Sequence, residues 1–313
     1  MPRREPTPSV AEAGLDALSG ATTEITSTYL VGSALPRRFS SRLLERAGER
    51  LHTLPRSHAF RRAIADAPTG ARPVVVVPRL GVGGTVYPEI RRAAASERPR
   101  FIVVALDGGA IGPPAEADAP VLEDLGLMSA LPSLSVFAPA DPGGAGPAIQ
   151  AALAQEGAAY VRLATGVRPP VGEAGFTPGQ APVLRPGNDL TLVAVGPLVA
   201  RAIEVADEIG KLGLGARVLD AGSVKPLDAK AVLRAAGETG AIITLEDHSA
   251  LAGVGSQIAS VTAEHRPVPV VRIGIPDLFA GPVPDLAGLD PFGLSRERVV
   301  EVALDLLRQR GKL

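Results

Sequence analysis

The chain contains no cysteine and no tryptophan among its 313 residues. Without thiols it can form no disulfide, no thiolate metal site and no cysteine nucleophile. Aromatic residues make up only 3%, so Ala, Val, Leu and Ile must fill the core. The net charge of −1 supplies no long-range field to draw in nucleic acid or an anionic membrane. No apolar run approaches the roughly 18 residues of a membrane span, and no signal-peptide core follows Met1. A soluble, cytoplasmic protein without nucleic-acid or membrane partners is therefore expected. The glycine-rich strand-to-helix turn of dinucleotide-binding proteins is also missing, which weighs against an unrelated doubly wound enzyme of that kind.

What is present is a regular alternation. Hydrophobic residues reach 46%, and the length suits two domains of ordinary size. Residues 1–20, rich in Pro, Glu and Ala, read as a loose arm. Ser41–Ala65 is charged with interspersed Leu and Ala, as in helices, and is broken at Pro55. Four consecutive valines after Pro73 mark a strand buried on both faces. A helix over Tyr87–Ser96 and a strand over Phe101–Ala105 follow. The run Glu123–Leu131 is amphipathic, Pro132 stops it, Leu134–Ala138 alternates as a strand, and Asp141 is placed to cap the next helix. Gly146–Gln155 and Ala159–Leu163 complete this first series.

Between Thr165 and Gly187 the pattern lapses into prolines and glycines, the composition of a linker. It then resumes. Strands are expected at Leu190–Val195, Ala216–Asp220, Ala241–Leu245 and Val268–Ile273. Helices are expected at Val199–Leu212, Leu227–Ala236, Gly255–His265 and Arg296–Arg310. Strands alternating with helices specify parallel sheets covered on both faces.

Four blocks carry a family resemblance. Glu123-Asp-Leu with Leu131-Pro-Ser and Pro139-Ala-Asp141 resembles the pyrimidine-binding domain of the transketolase family. Gly187-Asn-Asp-Leu-Thr-Leu-Val-Ala-Val-Gly196, then Val218-Leu-Asp-Ala-Gly-Ser-Val-Lys-Pro-Leu-Asp228, then Thr244-Leu-Glu-Asp-His248 with Gly253-Val-Gly-Ser256, are similar to blocks of that family's C-terminal domain. They lie nearest the deoxyxylulose-phosphate-synthase and split-transketolase branches. The resemblance implies an α/β chain of two doubly wound domains: a pyrimidine-domain-like unit over 21–164 and a C-terminal-domain-like unit over 188–313, with 165–187 between them. It further implies thiamin diphosphate and Mg²⁺, the hard oxygen ligands of the family suiting that ion.

The family holds the diphosphate and metal on a separate domain through a Gly-Asp-Gly motif, which this chain lacks; its Leu106-Asp-Gly-Gly109 reads as a turn after a strand. The chain is thus expected to bind no metal alone. It would share the cofactor with an N-terminal transketolase-like partner subunit, in a heterotetramer or around a homodimer core. The reaction implied is transfer of a two-carbon unit from a ketose or 2-oxo acid to an acceptor.

Candidate site residues follow from the same resemblance. The family's proton-relay glutamate falls nearest Glu45, counting from Pro36-Arg-Arg-Phe39, with Glu49 the poorer match; both also read as solvated helix charges. An acid at that place assists proton transfer worth about 10²–10⁴-fold. Arg162 matches an arginine whose fork suits an anionic substrate, or else forms a structural ion pair. His248 reads as a turn or interface residue, and Asp141 and Asp228 as helix caps. Tyr87-Pro-Glu-Ile-Arg91 matches the block after the pyrimidine-stacking strand. The stacking aromatics themselves are absent from Pro73–Gly81, and Ala119 stands where the family has histidine. Those departures keep a second reading open, a non-catalytic subunit that retains the fold and the interface but not the pocket.

Overall fold

A computed structural model describes residues 8–21, 28–31, 51–66, 72–77, 86–96, 100–112, 121–166, 170–172 and 175–313. Its strands are β1 (Thr28–Val31), β2 (Leu51–Leu54), β3 (Val74–Val77), β4 (Ile102–Leu106), β5 (Leu134–Phe137) and β6 (Ala158–Leu163), followed by β7 (Val183–Arg185), β8 (Leu190–Ala194), β9 (Ala216–Asp220), β10 (Ser223–Lys225), β11 (Ile242–Ser249) and β12 (Val270–Ile275). They form two sheets, ordered β10-β5-β6-β4-β3-β1-β2 and β12-β11-β8-β9-β7. All pairings are parallel except β10 on β5 and β7 on β9. This is the mixed α/β architecture expected, with helices packed on the sheets.

The valine run becomes β3, and every residue of β3, β4, β6 and β8 is buried. Strands so placed need apolar side chains on both faces, which explains their unbroken hydrophobic character. The edge of β5 would expose unpaired backbone groups, and β10 covers it although it lies far along the chain. Lys225 fastens that strand: its ammonium donates to the carbonyl of Ser129 at 3.0 Å and to that of Leu131.

Besides the short strands β1 and β10, which were not expected, three segments differ from the sequence expectation. Val10–Gly20, in the stretch read as a loose arm, is a helix begun by a reciprocal cap. Ser9 Oγ accepts from the Glu12 amide at 3.1 Å, while Glu12 Oε2 accepts from the Ser9 amide at 2.7 Å. Val10, Leu15 and Leu18 are buried in one apolar cluster with Ala148, Ile149 and Leu153 of the helix Pro142–Ala154. The helix also lies close upon β6 because position 14 is glycine; a Cβ there would stand 2.5 Å from Leu163 Cδ1. Second, the Ser41–Ala65 stretch holds strand β2 before the helix Arg56–Asp66. Third, the Pro/Gly-rich stretch ends in β7, which adds an antiparallel edge to the second sheet.

The two sheets share a core. One buried cluster joins Leu125, Met128 and Val136 of the first unit to Val193, Leu219 and Val232 of the second. The carboxyl ends of β4, β6, β8 and β11 come together across that seam.

Candidate functional site

In open parallel sheets, ligands bind outside the carboxyl ends of the strands, and here both sheets direct theirs to one crevice. Gly108 follows β4, Pro139 follows β5, Arg162 lies near the end of β6, Gly196-Pro197 follows β8 and Asp247 lies near the end of β11; together they line it. The crevice measures ≈ 10 Å³, about room for one water. Its chemistry is set by buried charges.

Arg162 is the centre of that group. Its Nε lies 3.5 Å from Asp124 Oδ2 and its Nη2 lies 3.1 Å from Asp247 Oδ2. The three residues are 5%, 0% and 1% exposed, so none of these charges is screened by solvent. Burial opposes the guanidinium charge, but the two carboxylates outweigh it and hold Arg162 above its ordinary value. Asp124 Oδ2 also accepts from the Tyr160 hydroxyl at 2.7 Å. Burial, then the Asp124 charge, pushes the Tyr160 phenol well above its ordinary range. Of the two roles open to Arg162 from sequence, the ion pair is the one this geometry displays.

The turn after β4 is built around that arginine. Gly109 has φ 77°, a left-handed conformation that favours glycine. A Cβ at Gly109 would lie 1.5 Å from Arg162 Nη2, and one at Gly108 2.6 Å from Arg162 Nε. Asp107, also left-handed at φ 57°, accepts from the Thr165 amide at 2.9 Å and fixes the chain leaving β6. The Asp-Gly-Gly sequence is a turn that makes room for a guanidinium.

Next to Asp247 stands His248, 1% exposed. Its Nδ1 lies 3.4 Å from Asp247 Oδ1, and its Nε2 lies 2.9 Å from Glu246 Oε2. Burial lowers its basicity, but hydrogen bonds to Asp247 and Glu246 outweigh this and raise the imidazole to about 9. Backbone bonds stitch the same seam: the Ala110 amide donates to Asp247 O at 2.8 Å and the Ser249 amide to Leu122 O at 2.7 Å.

Behind Pro139 lies a second cavity, of ≈ 190 Å³, lined by Asp141, Phe176, Leu184 and Asp220 among others. Asp141 caps the helix Pro142–Ala154 through a 2.9 Å bond from the Gly144 amide, and its other oxygen accepts from Val171 N at 2.8 Å. Asp228 caps the helix Ala229–Thr239 in the same way, at 2.9 Å from Ala231 N. Asp220 faces the cavity, and burial, together with the Asp141 charge, raises its carboxyl to about 7 against one opposing bond from Gly222 N.

Glu45 and Glu49 lie outside the described residues, as do Pro36–Phe39, Ala119 and residues 78–85. Val74–Val77 shows four buried valines and no ring, and Tyr87–Arg91 lies in the helix Val86–Ala94. Asp124 and Asp247 as partners of Arg162 were not anticipated from sequence. The signal was the acid-acid pairs Glu123-Asp124 and Glu246-Asp247, unusual at the apolar ends of core elements. Among the described residues no three His, Asp or Glu side chains cluster to hold a metal ion. The described residues alone do not fit a diphosphate–metal site.

Two mostly parallel α/β sheets, joined at their carboxyl ends through a buried Arg–Asp seam, define a doubly wound α/β chain. Comparison with known proteins agrees. Residues 179–299 match the family model for the transketolase C-terminal domain. A split-gene transketolase solved as an inactive β4 tetramer superposes with a TM-score of 0.85 at 30% identity, over 97% of this chain and 99% of that one. The 6-deoxy-6-sulfo-D-fructose transketolase subunit SqwH of Clostridium sp. is 38% identical over 197 residues, 61% of this chain and 60% of that protein. An apulose-4-phosphate transketolase subunit of Phocaeicola vulgatus is 33% identical over 193 residues, 60% of this chain and 61% of that protein. A 1-deoxy-D-xylulose-5-phosphate synthase of Desulforudis audaxviator is 30% identical over 299 residues, 92% of this chain but 46% of the enzyme. The matches thus span about three fifths of the subunit relatives' length and about half of the synthase's. The chain belongs to the transketolase family. Among its described residues no helix is long and apolar enough to cross a membrane.

Proposed function

We propose that this chain is one subunit of a heteromeric, split transketolase. It would supply the pyrimidine-domain-like unit, 21–164, and the C-terminal unit, 188–313, while a partner chain carries the diphosphate and metal site. The supporting observation is the end-to-end likeness to a split-gene transketolase subunit. The neighbour, an inactive tetramer of β chains, fits a subunit that does not turn over without its partner. The cofactor on this reading is thiamin diphosphate with Mg²⁺, which supplies the carbanion chemistry of two-carbon transfer when bound. The expected location is the cytoplasm.

This chain's own contribution would be rigid presentation. Arg162, held by Asp124 and Asp247, fixes the ends of β6 and β11 beside the crevice and would present little free charge to an anionic substrate. On this reading Glu45, ahead of the poorer match Glu49, would be the proton-relay acid, and Glu45→Gln should abolish turnover while leaving assembly intact.

The test is calorimetric titration of thiamin diphosphate and Mg²⁺ into this chain alone and into the chain co-purified with a partner bearing Gly-Asp-Gly. Tight binding by the complex only supports the shared site. A second reading, a non-catalytic subunit, is favoured by the valines of β3 and by Ala119, where the family's ring-stacking and histidine positions fall. A stable complex that binds no cofactor would establish that reading in place of the first.

A further inference from the structure

The ring nitrogen Nε2 of His248 faces two partners that it cannot serve at once. Glu246 Oε2 lies 2.9 Å away and is an acceptor. The backbone amide of Val254, in the first turn of the helix Val254–His265, lies 3.3 Å away and is a donor. A protonated Nε2 satisfies the glutamate and turns its hydrogen toward the Val254 N–H. A bare Nε2 accepts from Val254 and leaves Glu246 Oε2, which has no hydrogen-bond partner among the described residues, buried and unpaired.

Charge decides which state holds near neutral pH. The groups facing this point are Glu246 and Asp247 on its own strand, Arg162 and Asp124 from the first unit, and the Tyr160 hydroxyl. Arg272 of β12 comes within reach of the next turn, but its guanidinium is committed to the Ala250 carbonyl and Ser256 Oγ at 2.6 Å. With a neutral imidazole the cluster sets three carboxylates against one guanidinium. A proton on His248 brings the balance close to even, which buried charge requires.

We propose that His248 is a proton-operated latch between β11 and the loop 249–253, holding Glu246 when charged and the helix Val254–His265 when neutral. The loop matters because it touches the first unit. Gly126 packs so tightly under Ala252 that a Cβ there would stand 2.6 Å from the Ala252 carbonyl oxygen. Gly253 is equally constrained, since a Cβ would lie 2.0 Å from Glu246 Oε2. A change of partner at Nε2 therefore acts on a loop with no slack, and through it on the contact between the two units.

The direction with pH follows. An imidazole raised from 6.5 to about 9 by folding contributes stability that is full below the lower value and lost as pH rises through the upper one. The loop contact should loosen over that same interval.

The experiment is a pH titration of the imidazole ¹⁵N resonances in the intact chain, whose four histidines give a resolvable spectrum, with backbone amides followed in parallel. His248 should show both nitrogens protonated at neutral pH and lose one proton on the alkaline side, the Gly126 and Ala252 amides shifting with it. Glu246→Gln should move the His248 titration down toward its ordinary value. A His248 already neutral at pH 7, or one that titrates while Gly126 and Ala252 stay still, would overturn the proposal. Because the wild-type chain carries the decisive measurement, the outcome does not depend on any variant folding. It is also independent of whether the cofactor binds.

Discussion

Arg162 and Asp247 meet at 3.1 Å although they are 85 residues apart in sequence and belong to different sheets. The pair is buried, so its partners stand or fall together. Removing the cation leaves Asp124 and Asp247 facing each other without solvent.

Arg162→Ala should therefore cost about 3–5 kcal/mol, the range for breaking a buried pair by deleting one member. Urea unfolding of the isolated chain measures it. A loss under about 1 kcal/mol, the level of an exposed pair, would show that water reaches the seam.

The N-terminal helix makes a separate prediction. Leu18 is 1% exposed, so Leu18→Ala should destabilise by about 2–5 kcal/mol. Ser9→Ala, which deletes one half of the cap, should cost about 1 kcal/mol. If residues 10–20 were a loose arm, neither change would move the unfolding midpoint.

Asp220 gives a pH signature of opposite sign to that of a salt-bridged acid. Its folded value, about 7, lies above the ordinary 3.8, so the folded state binds more protons between those limits. Stability must then decline as pH rises through that window. Asp220→Asn should flatten the decline and leave the chain more stable than wild type on the alkaline side of the window, with little change at its acid end. Thermal melts across the window test this; parallel wild-type and variant profiles would refute it.

Lys225→Met should loosen the end of β10 by leaving the carbonyls of Ser129 and Leu131 without their shared donor. The expected cost is about 1–3 kcal/mol. Amide exchange should quicken at Phe137, which faces Ser223 across the pairing, before it quickens in the central strands. Uniform acceleration throughout the first sheet would instead point to global destabilisation.

The central strands were legible because burial on both faces writes an unbroken apolar run, as at Val74–Val77 and Ile102–Leu106. The pieces misread or missed carry weaker patterns. β2 alternates half-buried leucines with an exposed His-Thr pair, and its flanks are charged. β7 and β10 are three residues each, too short for any period to show. The helix Val10–Gly20 announces itself by its Ser9–Glu12 spacing, but its buried glycine and alanines dilute the apolar stripe. The site is legible only in part. Sequence blocks bring Asp124, Arg162 and His248 into view one by one, whereas their meeting depends on how two sheets turn their strand ends toward each other.

The borrowing of β10 by the first sheet bears on how the chain can be dissected. A cut within 165–187 would seem to release two independent modules. It would instead strip β5 of its neighbour and leave a bare, sticky margin on the first fragment, while the second would carry an orphaned three-residue flap. The two units are thus inherited as one piece, and any fragment meant for expression has to run at least through Lys225.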